Sequence, residues 1–344
     1  MHDALYKIDE DSPLSSLVYT FGGAEAVMAV RPGTRMSTST RDCFAGRIRS
    51  TEDLPTRVLD PRYLNPQTGP FFVEGAVPGD TLAVHFVSIE PRNDRGVSTT
   101  IPLFGALTGT PQTALLHPAL PEMTWVYELD PIERLVHYQA RDSSLQLALP
   151  MDPMHGTIGV APALGEVRSA LTPGSWGGNM DTPEMRAGTT CYLGVNVEGA
   201  LLSFGDGHAR QAEGEPCGVA VECAMDSVIV IDLIKETPTP WPRLETDDHL
   251  MTTGSARPLE DAFRIAHSEM VHWLAELLRI STMDSYQLVS QIALSPVANV
   301  CDTQYTIICK VPKSMLGTGA TAFNGKHREL RGQATNSPSQ HPGD

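Results

Sequence analysis

Apolar and polar residues alternate along most of this chain, and helical spacing appears only late. From Thr81 to Ile89, Leu82, Val84 and Phe86 share one face behind the turn-rich Val77-Pro78-Gly79-Asp80, which predicts a strand. Thr189 to Val197 and Ala200 to Phe204 flank Glu198-Gly199. Gly218 to Ala224 leads through Met225-Asp226-Ser227 into the apolar run Val228 to Ile234, so two successive hairpins are expected. After Trp241 the period lengthens: Leu259, Phe263, Ala266, Met270, Trp273 and Leu277 line one helical face behind Pro258, a favoured first-turn residue. Met283, Tyr286, Val289 and Ile292 continue that rhythm up to Pro296, predicting a second helix, and Tyr305 to Val311 reads as a closing strand. From Asn324 the chain is polar and ends Ser-Pro-Ser-Gln-His-Pro-Gly-Asp, which predicts a disordered tail.

Composition supports a mainly β chain. Gly 29 and Pro 27 among 344 residues suit many turns between short strands better than a helical bundle. Lys and Arg total 25 against 41 Asp and Glu, a net charge of −16 that repels phosphate backbones and anionic lipid, so neither nucleic acid nor membrane is an expected partner. No apolar stretch approaches the ~18–20 residues needed to cross a bilayer. Asp3, Asp9, Glu10 and Asp11 precede any apolar run, the wrong charge for a secretory signal, so a cytoplasmic location is expected. Six cysteines without a Cys-x-x-Cys pair signal neither a zinc ribbon nor a redox dithiol. Lys7 and Lys235 are consecutive lysines, so lysine-dependent amide chemistry cannot be built in the 227 residues between them.

The candidate chemistry lies between Met154 and Cys223. At Gly205-Asp206-Gly207-His208, residues i and i+2 of an extended chain project to one face, so a carboxylate and an imidazole can aim at one point as metal ligands. Asn179-Met180-Asp181 repeats the arrangement after two glycines, and His155-Gly156 and Asp42-Cys43 offer further ligands. Such a mixture suits Zn²⁺ or a similar divalent ion. Each pair alone could equally serve a local turn. Glu222 stands in an apolar strand, where a carboxylate is costly unless paired. His85 has no such company and reads as a core histidine. Ser175 and Cys217 are nucleophiles by residue type, but neither sits in a nucleophile turn.

These motifs fall in a familiar order: Asp42-Cys43-Phe44, Asn65-Pro66-Gln67-Thr68-Gly69-Pro70, Val73-Glu74-Gly75-Ala76, His155-Gly156-Thr157-Ile158-Gly159, Gly177-Gly178-Asn179-Met180-Asp181 and Gly205-Asp206-Gly207-His208-Ala209. Over roughly residues 35 to 320 the chain resembles the acetamidase/formamidase family. It departs where that family's usual Gln-Gly-Asp-Gly-Glu reads Gln211-Ala212-Glu213-Gly214-Glu215, a lengthened carboxylate that bears on geometry and substrate size. The resemblance implies hydrolysis of a small aliphatic amide to a carboxylate and ammonia by a homo-oligomer. It also implies a mainly β fold, with a jelly-roll-like β-sandwich part (1–150), a β-barrel-like part carrying most of the site (151–250), a small α+β unit (251–323) and the tail (324–344). On this reading Asp42, His155, Asp181, Asp206 and His208 surround a divalent metal, zinc by ligand type. Glu222 shuttles the proton, and Asn179 or Glu74 orients the amide. Two other readings stay open: hydrolysis of a larger or cyclic amide on the same site, and a non-catalytic small-ligand-binding β protein with a structural metal.

Overall fold

The computed structural model of the protein describes residues 2–108, 116, 118–317 and 321–335. Two large sheets dominate. The first runs in the order His2–Tyr6, Thr34–Ser39, Met225–Ile234, Thr81–Pro91, Thr190–Gly194, Arg243–Glu245, His249–Ala256, Tyr305–Pro312, Val297–Asn299. In the second, Gln146–Pro150, Leu135–Gln139, Met123–Asp130, Arg95–Thr100, Val221–Glu222, Leu202–Arg210, Met154–Gly159 and Gly177–Asn179 follow one another. Gln67–Val73 joins this second sheet beside Leu202–Arg210 and takes Met28–Val30 as a parallel neighbour. The first sheet is also mixed, because His2–Tyr6 lies parallel to Thr34–Ser39 while the other pairings are antiparallel. One core lies between them: Val84, Phe86 and Ile229 of the first sheet meet Phe71, Ile158 and Phe204 of the second.

Neither sheet returns to its first strand, so the expected barrel is absent and the fold is mainly β with open, mixed sheets. Alternation tells which face of a strand is apolar but not which strand it pairs with. The two expected hairpins fail for that reason. Thr190–Gly194 pairs within the first sheet and Leu202–Arg210 within the second, so the turn at Glu198-Gly199 carries the chain from one sheet to the other. The same holds where Val221–Glu222 gives way to Met225–Ile234. Strands from 1–150, 151–250 and 251–323 all stand side by side in the first sheet.

The expected helices form at Leu259–Leu278 and Thr282–Ile292, the second capped by the Ser281 hydroxyl accepting from the Asp284 N–H, and the closing strand runs Tyr305–Pro312. Pro258 takes the N-cap position. The long helix lies directly on its sheet at Gly254, where a Cβ would come within 2.2 Å of the Ala262 carbonyl oxygen. Phe263, expected on the apolar face, is exposed and stacks on His267 instead. Part of the expected tail is ordered: Lys326–Thr335 is a helix that buries Leu330 against Ala83, Tyr192 and Val230 on the outer face of the first sheet. Its low apolar content hid it, since a single leucine and His327 supply its buried contacts. The remainder, 336–344, lies outside the described residues. No helix among the described residues is long and apolar enough to cross a membrane.

Candidate active site

Leu202–Arg210 and Val221–Glu222 pair so that His208 stands directly opposite Glu222. Register therefore brings the imidazole Nε2 within 3.2 Å of Glu222 Oε2 and 3.4 Å of Asp206 Oδ1. On the other side, Met154–Gly159 runs antiparallel and sets Gly156 against Asp206. A Cβ on Gly156 would fall 2.4 Å from Asp181 Oδ1 and 2.6 Å from Asp206 Oδ2, so the glycine leaves the room these two carboxylates occupy. Asn179 ends the edge strand Gly177–Asn179. Its amide nitrogen donates to Asp181 Oδ2 at 3.0 Å and to Asp302 Oδ2 at 2.8 Å, and its oxygen accepts from Asn65 Nδ2 at 2.9 Å and from the Thr157 hydroxyl.

These side chains form the floor of a cavity of about 490 Å³. Asn179, Asp181, Asp206, His208 and Glu222 line it, joined by Cys43, Asn65, Glu215 and Asp302, and no lysine or arginine is among its lining residues. Its upper walls are apolar: Phe44, Leu64, Ile101, Phe104, Leu171 and Val219. Gln211 orients the imidazole. Its Nε2 donates to the Asp181 and Ala298 carbonyls, so its Oε1 is left to accept from His208 Nδ1 at 2.9 Å. With Nδ1 carrying the proton, Nε2 is the atom turned to the carboxylates, the arrangement by which a neighbour fixes a ligand histidine's tautomer.

Burial pushes the Asp181 carboxyl well above the ordinary carboxylate range, and Glu215 and Asp302 beside it add to the effect. Burial likewise raises Glu215 and Glu222, and it pushes Asp302 up to about 7. Asp206 differs. Burial raises it too, but the facing His208 and the Thr157 hydroxyl more than offset this and hold it below its usual value. For His208, burial alone would lower the pKa, and the Glu222 and Asp206 carboxylates reverse that and hold it well above. Five carboxylates thus share one cavity with one imidazole, more negative charge than buried groups sustain unpaired. Asp181 Oδ1 is buried with no hydrogen-bond partner, and Glu222 Oε2 has none apart from the His208 ring 3.2 Å away. Three overlapping sets have donor atoms within 4.8 Å of one another: Asp181, Asp206 and His208; Cys43, Asp206 and Glu222; His208, Glu215 and Glu222. The orphaned Asp181 oxygen and this donor set fit a divalent cation.

Three expected site residues are elsewhere. The Asp42 carboxylate accepts the backbone N–H groups of Phe44 at 2.9 Å and Gly46 at 3.1 Å, so it caps its own turn and leaves its neighbour Cys43 on the cavity wall. His155 is fully buried behind the floor, with Nδ1 on the Gly205 carbonyl oxygen and Nε2 on the Ser227 hydroxyl, and burial lowers its pKa to about 4. Glu74 is exposed and pairs with Arg31. His85 is buried and bonded to Thr190, as a core histidine would be.

Comparison with known proteins places this architecture. The acetamidase/formamidase family model matches residues 23–167 and 165–243, well over half of the chain. The chain belongs to the acetamidase/formamidase family. Its fold superimposes on the crystal structure of an acetamidase from Yersinia enterocolitica with a TM-score of 0.85 and 38% identity, covering 92% of this chain and 93% of that one. An acetamidase from Bacillus halodurans gives 0.78 and 31%, covering 88% and 96%. The curated acetamidase of Mycolicibacterium smegmatis is 27% identical over 261 residues, 61% of this chain and 64% of that protein, so the match spans just under two thirds of that relative. Within the family motif, Gln211 and Glu215 are the residues that face the site, while the departing Glu213 is exposed and outside the cavity.

Glu215, Cys43, Asp302, Asn65 and Gln211 were not assigned from the sequence. Glu215 and Gln211 bracket Gly214 in the motif that departs from the family's usual form, the one signal that marked them. Asp302 carries no local pattern, since only the pairing of Val297–Asn299 with Tyr305–Pro312 brings its loop to the cavity.

Proposed function

We propose that the chain hydrolyses small aliphatic primary amides to a carboxylate and ammonia. The observation that carries this is the buried Asp181, Asp206, His208 and Glu222 group, with an orphaned Asp181 oxygen, lining one cavity. Asp181, Asp206 and His208 would hold a divalent cation, zinc being the best match to one imidazole and two carboxylates. Bound there, the cation supplies positive charge for the amide carbonyl and makes water a better nucleophile near neutral pH. The chain does the rest. Gln211 holds the Nδ1–H of His208 and so turns Nε2 inward, where a cation would take the place of its proton. Glu222, raised by burial and facing His208 across the strand pair, takes a proton from water and returns it to the departing nitrogen. Asn179 holds Asp181 and Asp302 in register around the substrate. The exposed Glu74 has no part in this scheme.

Location and assembly complete the reading. All six cysteines are free, which suits a reducing cytoplasm. The edge strand His2–Tyr6 is largely exposed, and homo-oligomerisation would cover such an edge. Ammonia release from formamide and acetamide, with and without a chelator, tests the reaction. Activity should fall with the chelator and return with zinc. His208→Ala should lower metal content and activity by orders of magnitude, whereas His85→Ala should spare the metal. A folded His208→Ala protein with parental metal and rate would overturn the ligand role.

A further inference from the structure

The cavity is far larger than the smallest amides need. Formamide or acetamide displaces about two to three waters of about 30 Å³ each, against a cavity of about 490 Å³. Cavities in the range of about 300–1,000 Å³ take ligands of many heavy atoms. Polarity also follows burial: the polar floor residues are all buried, whereas Leu64, Ile101, Phe104 and Leu171 are half-buried and so nearer solvent. The floor holds Asn179, Asp181, Asp206, His208, Glu215 and Glu222, and the walls above them are Phe44, Leu64, Ile101, Phe104, Leu171 and Val219. Most of these wall residues belong to an apolar cluster of their own, in which Phe44 and Val219 are buried while Leu64, Ile101 and Phe104 pack against them half-covered. Gly218 fixes one wall: a Cβ there would press within 2.6 Å of the Phe104 ring, so the ring rests against bare backbone.

The chemistry orients whatever enters. An amide carbonyl must face the cation position and its nitrogen must face a proton donor, and both demands are met at the floor. An alkyl group on nitrogen would then lie among buried carboxylates and strip them of partners. The acyl group is the one substituent free to rise along the apolar walls. We infer that this cavity takes primary amides with an apolar acyl chain longer than acetyl, reaching from the carboxylate floor to Phe104 and Leu171. This rests on the amidase reading above and specifies its substrate.

The test is the dependence of kcat/KM on acyl length for formamide, acetamide, butanamide, hexanamide and phenylacetamide, with N-butylacetamide as the N-substituted arm. Each buried methylene should raise kcat/KM about fourfold, the equivalent of about 0.8 kcal/mol, while N-butylacetamide stays below acetamide. Leu171→Asn, which sets a polar group in the half-buried wall, should lower the hexanamide-to-acetamide ratio roughly tenfold, and Phe104→Ala should lower it as well. A series that is flat or falls beyond acetamide overturns the inference and leaves the amidase reading standing. Hydrolysis of no amide in the series overturns both. A rising series whose slope neither variant changes overturns the assignment to this wall. The parent series decides the matter even if a variant fails to fold.

Discussion

Asp181, Asp206, Glu215 and Asn65 all stand with φ between 42° and 59°, in the left-handed region that non-glycine residues avoid. Such a residue costs about 1 kcal/mol or more and persists where its surroundings over-determine it. Four of them meet at one cavity floor, so the backbone itself is bent to turn short polar side chains inward. Gly156 is the complement of that bending, the missing side chain against which Asp181 and Asp206 rest. Gly156→Ala should displace both carboxylates, and metal content measured by emission spectroscopy should fall with activity while far-ultraviolet circular dichroism stays parental. Full metal occupancy in a folded variant would refute this account of the glycine. Asp206 and His208 were legible because two-residue spacing on a strand fixes their common face. Asp42 caps its own turn while the adjacent Cys43 faces the cavity, a difference of one position that a motif does not display.

At the level of elements, helices announce themselves by period and end signals, and both long ones were read to within two residues. The helix Lys326–Thr335 was not, since little of it is apolar and its stability comes from where it docks. Lys326 pairs with Asp232 at 3.1 Å, and His327 reaches Thr190 at 2.8 Å, from the outer face of the first sheet. Leu330 is its apolar anchor, fully buried. Leu330→Ala should therefore destabilise the protein by about 2–5 kcal/mol, measurable as a fall in the urea midpoint. An unchanged midpoint would show that the helix contributes nothing to the fold. Strands were readable one by one, but their partners were not, because the two sheet-to-sheet corners carry the same turn residues as hairpins.

Over the whole molecule, two buried neutral histidines make stability depend on acid. Burial lowers His85 and His155 to about 4, below the ~6.5 of an unfolded histidine. As pH falls from about 6.5 to 4, the unfolded chain takes up protons at these two positions that the folded one refuses, so their contribution to stability is lost across that window and kept above it. His85→Asn, which retains a partner for Thr190, should gain stability relative to the parent progressively across the same window in urea titrations. A difference independent of pH would refute this. Assembly is a separate property: multi-angle light scattering at micromolar concentration should give a multiple of the 37.2 kDa chain mass, and a monomer would count against the edge-strand argument.

The sheet-to-sheet corners bear on how the molecule is made. Thr81–Pro91 pairs with Met225–Ile234, and His249–Ala256 with Tyr305–Pro312, so neighbours in the first sheet are separated by residues 92–224 at one point and by residues 257–304 at the other. Closing the long interval is slow, because loop entropy is lost before the paired strands repay it. During synthesis, Asp206, His208 and Glu222 emerge while Thr81–Pro91 still waits for Met225–Ile234, and Asp302 arrives last. A ribosome-bound chain that stops before residue 300 would hold most of the site's carboxylates without the loop that closes it, an acidic and half-built pocket.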